Sequence, residues 1–147
     1  MFRGRHEHTI DAKGRTSVPA RYRDVLSATG ERRLVLTPGL DPYLMAYTLA
    51  EWIAFEERLS ALPQFDRLVQ QMKRICISGA VECDIDEVGR ILVPPTLRAH
   101  ADLKKDVLWA GAGRYAELWD MGAWRRQIEI SEEEKVAMST RLTELKL

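Results

Sequence analysis

The chain has 147 residues, of which 46% are hydrophobic and 30% are charged, a composition typical of an ordinary globular protein. No apolar run approaches the ~20 residues that a membrane-spanning helix needs, and the first eight residues lack the apolar stretch of a signal peptide. Zero net charge argues against a generic nucleic-acid binder. We therefore expect one compact domain, or two small closely associated ones, in the cytoplasm.

The charged residues are unevenly distributed along the chain. Residues 1–33 contain eight Arg or Lys and four Asp or Glu, a net charge of +4, whereas residues 41–72 have a net charge of −3. Segregated charge gives a neutral protein one basic surface. We expect that positive end to lie in the first part of the chain.

The first part of the chain alternates strands and helices. The pattern predicts strands at 5–11, 15–18, 33–37 and 43–48. Between the second and third strands, Pro19 suits the first turn of a helix and Gly30 its end. A second helix begins with a capping-box pattern from Thr48 to Glu51, and Pro63 ends or bends it.

The second part repeats this order after a connecting helix at 66–76. The pattern predicts strands at 80–85, 91–93, 107–110 and 116–119, and helices at 95–101 and 121–130. Another capping-box pattern at 131–134 predicts a C-terminal helix whose apolar face consists of Met138, Leu142 and Leu145. Two interpretations stay open for this helix: a loose attachment, or a role in subunit contacts.

The most informative feature is a pentapeptide that occurs twice. Asp11-Ala12-Lys13-Gly14-Arg15 is matched by Asp86-Glu87-Val88-Gly89-Arg90, and Val-Pro follows each copy at the same offset. Three aromatic pairs also match: Tyr43 with Tyr115, Tyr47 with Trp119, and Trp52 with Trp124. Such internal similarity indicates a duplicated unit. The expected boundaries are a first repeat at 1–60, a linking helix at 61–78, a second repeat at 79–130 and a C-terminal helix at 131–147.

Each pentapeptide predicts a tight turn. Asp accepts hydrogen bonds from backbone N–H groups just ahead of it, and Gly adopts a positive φ. The first turn would present two cations on an exposed tip, where Arg suits a guanine edge and Lys a phosphate. A hairpin could bring two further arginines of the preceding strand to the same side. The candidate DNA-binding residues are therefore Arg3, Arg5, Lys13 and Arg15.

The second turn is a poorer match to phosphate, because Val88 and Glu87 stand where the first turn has Lys13 and Ala12. Our hypothesis is that the first copy contacts DNA and that the second is mainly structural or lies between subunits. The residues expected to build the two turns are Asp11, Gly14, Asp86, Gly89 and Arg90.

Four motifs together resemble the MraZ family, bacterial transcription regulators associated with the division and cell-wall gene cluster. They are Met1-Phe2-Arg3-Gly4, Asp11-x-Lys13-Gly14-Arg15, Val18-Pro19-x-Arg21-Tyr22-Arg23 and Asp86-x-x-Gly89-Arg90-Ile91-Leu92-Val93-Pro94-Pro95. The resemblance covers residues 1–145. It implies a double AbrB-like swapped-hairpin fold, a ring-shaped homo-oligomer, repression, and sequence-specific binding to repeated DNA elements in the promoter of its own gene.

We therefore expect an α+β, mostly β protein: a duplicated AbrB-like swapped-hairpin β-barrel with flanking helices. Its expected function is sequence-specific regulation of transcription in the cytoplasm, at the nucleoid. Its expected partners are double-stranded DNA and copies of itself. We expect no membrane, small-molecule substrate, metal or cofactor to take part.

Several alternatives accompany this interpretation. A scaffold of the same fold could assemble without DNA, and an enzyme could use Asp11 or Asp86, although the chain offers no nucleophile–base pair. His6 and His8 are too few for a metal site, and the two cysteines lack zinc spacing. The matched aromatic residues favour core packing over base stacking. The dipeptide Arg32-Arg33 is equally consistent with a phosphate contact and with a solvated loop.

Overall fold

The repeated pattern of short apolar strands and turns produces eight strands in the computed structural model, which describes residues 1–147. The strands are β1 (Arg5–Thr9), β2 (Arg15–Ser17), β3 (Arg33–Pro38), β4 (Leu44–Tyr47), β5 (Val81–Asp84), β6 (Arg90–Leu92), β7 (Asp106–Gly111) and β8 (Ala116–Asp120). The helices are α1 (Ala20–Ser27), α2 (Leu49–Ser60), α3 (Arg67–Met72), α4 (Pro95–His100), α5 (Met121–Ile128) and α6 (Glu132–Glu144), and a π-helical turn (Lys73–Ile77) continues α3.

The strands form an antiparallel six-stranded sheet in the order β1-β7-β8-β4-β3-β5, and β2 pairs with β6 in a separate two-stranded sheet. The first strand of each repeat lies on the sheet of the other repeat, β1 against β7 and β5 against β3. This exchange is the predicted swapped-hairpin arrangement. The α+β class and the duplication are confirmed, and the sheet forms the core although the helices contain more residues.

The sheet is open and does not close into the predicted barrel, because β1 and β5 are its two edges. The strands β2 and β6 have three residues each and pair only with one another, apart from a single bridge between Ile10 and Thr16. The two short strands therefore form a sheet of their own and do not extend the large sheet.

The two repeats are related by an approximate twofold axis. In the centre of the large sheet, β4 pairs with β8 so that Met45 lies opposite Glu117. In the small sheet, Thr16 lies opposite Ile91. Each of these pairs joins equivalent positions of the two repeats, so both sheets are centred on the same symmetry.

The main core draws on both repeats. Its cluster of 18 buried residues includes Tyr22 and Phe2 of the first repeat and Trp109 of the second, whose rings meet edge to face. Burying one such side chain contributes about 1.5–3 kcal/mol to folding stability. Because the cluster combines side chains of both repeats, neither repeat retains a full core without the other. The predicted boundaries at 60, 78 and 130 stay a prediction, because the exchanged hairpins mix the repeats in space.

The matched aromatic residues stack across the symmetry axis. Tyr43 stacks on Trp119 with ring centroids 4.7 Å apart, and Tyr115 stacks on Tyr47 at 5.5 Å. Tyr47 and Trp119 are buried, as is Trp52. The burial of these three side chains confirms the predicted core packing for them, whereas Tyr43, Tyr115 and Trp124 are half-buried.

Side-chain caps begin four of the helices. Thr48 accepts a hydrogen bond from the N–H of Glu51, and the carboxylates of Asp66 and Asp120 each accept two at the starts of α3 and α5. Ser131 and Glu134 form the complete reciprocal capping box predicted for α6. These contacts satisfy N–H groups that have no partner inside the helix.

The connecting helix is not a regular α-helix along its whole length. It changes from α to π geometry after Met72, and Leu68 is 76% exposed. Val69 and Cys76 instead face the core. Since adjacent helical residues point about 100° apart, burying Val69 turns Leu68 towards solvent.

The C-terminal helix α6 buries none of its residues in the chain, and Met138 and Leu142 on its predicted apolar face are exposed. Within one chain it is therefore a loosely attached helix, and a contact with another subunit stays a prediction. No helix of the structure combines the length and apolar character required to span a bilayer.

Candidate nucleic-acid interface

The first pentapeptide forms a closed turn, here named turn 1 (Asp11–Arg15). One carboxylate oxygen of Asp11 accepts hydrogen bonds from the N–H groups of Lys13 at 3.0 Å and Arg15 at 2.9 Å. The other accepts a hydrogen bond from Nε of Arg15 at 2.8 Å. Gly14 donates its N–H to the Asp11 carbonyl at 3.0 Å and has a φ of +91°. A side chain rarely tolerates this φ, so the turn requires glycine.

The second pentapeptide, turn 2 (Asp86–Arg90), repeats this geometry. Asp86 accepts from the N–H groups of Val88 at 3.0 Å and Arg90 at 2.8 Å, and from Nε of Arg90 at 3.0 Å. In both turns, hydrogen bonds from the backbone and from the arginine hold the pKa of the aspartate below its usual value. Each carboxylate thus caps and fixes its turn, as predicted.

Each turn packs against the other repeat. The N–H of Val93 donates to the Gly14 carbonyl at 2.8 Å, and the N–H of Val18 donates to the Gly89 carbonyl at 2.9 Å. A Cβ on Gly14 would lie 2.7 Å from Nε of Arg98 and 2.9 Å from the Val93 carbonyl oxygen. The glycines therefore allow the two repeats to approach closely.

Sequence reasoning missed the two arginines that cover these glycines. Arg98 lies over Gly14 and donates from Nε to the Val93 carbonyl at 3.0 Å. Arg23 lies over Gly89 and donates from Nε to the Val18 carbonyl at 3.2 Å. A sequence signal existed, because in both repeats an arginine follows the valine of the Val-Pro pair five residues later.

The cations of turn 1 differ in how they are held. Lys13 is exposed, and its ammonium forms no salt bridge within the chain. The side chain of Arg15 is 38% exposed, and its bond to Asp11 fixes the guanidinium while both Nη groups remain without partners. Turn 1 therefore presents one mobile and one oriented cation.

Arg3 and Arg5 do not join this tip, contrary to the expected grouping. Arg5 begins β1, and the five residues to Ile10 span about 17 Å in a strand. Its guanidinium carbon lies 5.2 Å from the ring centroid of Trp124 on α5. Arg3 lines a separate cavity with Arg21 and Asp24. Turn 1 follows the C-terminal end of β1, whereas the two arginines lie at its N-terminal end.

The surroundings of the two turns differ in charge. At turn 1 the N–H of Ile10 donates to the Lys105 carbonyl at 2.8 Å, which places a second lysine beside the tip. At turn 2 the neighbouring Arg33 is paired with Glu82 at 2.9 Å and with Asp84 at 3.5 Å. This pairing favours the solvated-surface interpretation of that arginine.

The other candidate groups do not form a chemical centre. No three His, Cys, Asp or Glu side chains come together in a way that could hold a metal ion. Cys76 and Cys83 are buried free thiols, and burial raises the pKa of Cys83 to about 11. His6 packs edge to face against Tyr22 at 5.1 Å.

Comparison with known proteins gives a consistent result along the whole chain. A family model described as "MraZ protein, putative antitoxin-like" matches residues 1–75 and again residues 76–145. A protein of Thermoanaerobacter sp. (strain X514) named Transcriptional regulator MraZ is 45% identical over 124 residues, 84% of each chain. The protein of the same name from Photorhabdus laumondii is 40% identical over the full length of both chains. Two matches in one chain agree with the duplicated fold, and the chain belongs to the MraZ family.

Proposed function

We propose that this protein is a sequence-specific, DNA-binding regulator of transcription, and that turn 1 contacts the DNA. The proposal depends on one observation: two turns of equal geometry carry different charges. Turn 1 presents Lys13 where turn 2 presents Val88, which is 64% exposed. The names of the relatives, which are transcriptional regulators, support the same function.

The geometry of turn 1 suits recognition of a base. Arginine donates two hydrogen bonds to the O6 and N7 atoms of guanine in the major groove, and each such contact discriminates by about 1–3 kcal/mol. Asp11 holds the guanidinium of Arg15 through Nε at 2.8 Å and leaves the Nη groups for the base. A side chain that is already ordered loses less entropy on binding. The flexible Lys13 suits a phosphate, which adds affinity without sequence information.

One tip is a small contact, so the proposal includes self-association. Exposed apolar residues of α6 and around the start of α3 provide surface for subunit contacts; they include Met138, Leu142, Phe65 and Leu68. In a homo-oligomeric ring, tips from several subunits would bind repeated DNA elements together, and linked weak contacts multiply the affinity. By its resemblance, the target is the promoter of its own gene in the division and cell-wall cluster, where the protein acts as a repressor at the nucleoid.

Fluorescence anisotropy with a labelled duplex from the region upstream of its own gene tests this function. We expect the wild type to bind that duplex more tightly than an unrelated duplex of equal length, at the same stated salt concentration. Lys13→Ala should weaken binding to both duplexes and lower the slope of log K against log salt by about 0.9 for each phosphate that the variant no longer neutralises.

Val88→Ala is the matched control, because it changes the equivalent exposed position of turn 2. It should bind DNA as the wild type does. An assembled wild-type protein that shows no preference for its own upstream duplex would instead favour the scaffold. Equal reductions in affinity from Lys13→Ala and Val88→Ala would contradict the assignment of turn 1.

A further inference from the structure

A cleft of about 530 Å³ lies beside turn 1, between β1, the loop before β7, and α5. Four exposed cations line it, and we name it the basic cleft after them: Lys104, Lys105, Arg125 and Arg126. They come from two separate segments, so the fold and not a run of sequence brings them together. None of the four belongs to turn 1.

Three carboxylates also line the basic cleft, and one of them has a structural task. Asp120 is 5% exposed, accepts hydrogen bonds from the N–H groups of Gly122 and Ala123, and lies 3.6 Å from Nζ of Lys104. The other two, Glu7 and Asp106, are exposed. Lys105, Arg125 and Arg126 form no salt bridge within the chain, so the cleft retains a positive charge that is available to a ligand.

The duplication provides an internal comparison for this charge. The positions equivalent to the four cations in the other repeat are Glu31, Arg32, Ile53 and Ala54. The correspondence of Lys105 with Arg32 is structural, because their carbonyls accept from the equivalent residues Ile10 at 2.8 Å and Ile85 at 2.9 Å. These four positions therefore carry four cations in one repeat and one in the other. The cation at the position equivalent to Asp106, Arg33, is paired with Glu82 and Asp84.

The basic cleft lies close to turn 1 along the chain. Thr9 belongs to the wall of the cleft, and Asp11 begins the turn two residues later, about 7 Å along an extended chain. Each DNA strand carries one phosphate per about 3.4 Å of helix axis. A duplex that meets Lys13 and Arg15 therefore brings several phosphates towards this side of the protein.

We propose that the basic cleft binds the phosphodiester backbone of the DNA that turn 1 contacts. This inference rests on the proposed function and extends the DNA-binding surface from turn 1 to α5. Arg126 and Arg125 can bond a phosphate through two N–H groups, whereas Lys105 supplies a compact charge. The cleft adds affinity for any duplex, and the discrimination between sequences stays with turn 1.

The test compares Lys105→Ala with Arg32→Ala, its structural counterpart in the other repeat, and adds the double variant Lys105→Ala/Arg126→Ala. DNA affinity is measured by anisotropy between about 50 and 200 mM salt, with the upstream duplex and an unrelated one of the same length. Light scattering and urea unfolding establish that the variants assemble and fold as the wild type does. A parallel titration uses inorganic phosphate as the small anion.

We expect the double variant to bind both duplexes more weakly by the same factor, about tenfold at 0.1 M salt for each phosphate that the cleft no longer neutralises. The slope of log K against log salt should be lower by about 0.9 for each such phosphate. Arg32→Ala should match the wild type. The inference is overturned if the wild type binds its upstream duplex and the double variant binds it equally well. It is also overturned if inorganic phosphate saturates the cleft while DNA binding is unchanged. Failure of the wild type itself to bind DNA would overturn the proposed function instead.

Discussion

The glycine of turn 1 provides a quantitative test of how the two repeats are joined. In Gly14→Ala, the added Cβ would meet the Arg98 guanidinium at 2.7 Å and the Val93 carbonyl oxygen at 2.9 Å. The second of these atoms belongs to backbone that is already bonded to Gly14 at 2.8 Å, so the repeats must move apart. The positive φ costs about 1–2 kcal/mol for a residue other than glycine, and overpacking adds about 1–3 kcal/mol.

Two other glycines separate these contributions. Gly30 also has a positive φ, +73°, but a Cβ there meets nothing within 4 Å, so Gly30→Ala measures the backbone strain alone. At Gly89 the closest atoms, 2.8–2.9 Å away, belong to the exposed and flexible side chain of Arg23. We expect the loss of stability to be about 2–5 kcal/mol for Gly14→Ala and about 1–2 kcal/mol for Gly30→Ala, with Gly89→Ala between them.

Urea unfolding followed by fluorescence measures these differences, since the chain contains four tryptophans. All variants must be compared at one protomer concentration, because the proposed self-association would make the apparent stability depend on concentration. The loss of unfolding free energy expected for Gly14→Ala lowers the urea midpoint by about 1 M or more. The dependence of the unfolding free energy on urea concentration should not change. If Gly14→Ala were no less stable than Gly30→Ala, the close cross-repeat approach at turn 1 would be wrong.

Two further predictions concern single side chains. Hydrogen bonds lower the folded-state pKa of Asp11, so its contribution to folding stability is complete above the ordinary pKa of 3.8 and is lost as the pH falls through the folded-state pKa. The difference in unfolding free energy between wild type and Asp11→Asn, measured by urea unfolding, should therefore shrink below pH 3.8, and a difference that grows there would contradict the turn geometry. Tyr22→Phe removes a buried hydroxyl that donates to the Gly4 carbonyl at 3.0 Å, so it should cost about 1 kcal/mol of unfolding free energy, and an unchanged midpoint would show that this bond contributes nothing.

Local features of the fold could be predicted from the sequence because they depend on neighbouring residues. The turns follow from an aspartate, a glycine and an arginine at fixed spacing, and the starts of α2, α5 and α6 follow from Thr48, Asp120 and Ser131. The duplication followed from matched residues. The swapped arrangement came only from the resemblance, since β1 could pair equally well by pattern with either repeat.

Features that depend on long-range packing could not be predicted from the sequence. The position of Arg5 depends on where α5 places Trp124, and the cover of Gly14 by Arg98 depends on how one repeat docks on the other. The basic cleft is a similar case, because Lys105 and Arg126 are 21 positions apart and only the fold makes them neighbours. The predicted barrel closure is wrong because β2 and β6 pair in a separate two-stranded sheet and do not join the large sheet as strands.

The central claim is that two turns of equal structure differ in function, and Arg15→Ala compared with Arg90→Ala tests it most directly. Both arginines bond their aspartate through Nε, at 2.8 Å and 3.0 Å, with 38% of each side chain exposed. Within one chain the two substitutions remove equivalent contacts, and light scattering on the same samples measures whether each variant assembles. In anisotropy with the upstream duplex at fixed salt, we predict that Arg15→Ala binds about 5- to 160-fold more weakly than Arg90→Ala, since one guanine contact is worth about 1–3 kcal/mol. Equal binding by the two variants, or a larger loss from Arg90→Ala, would contradict the account.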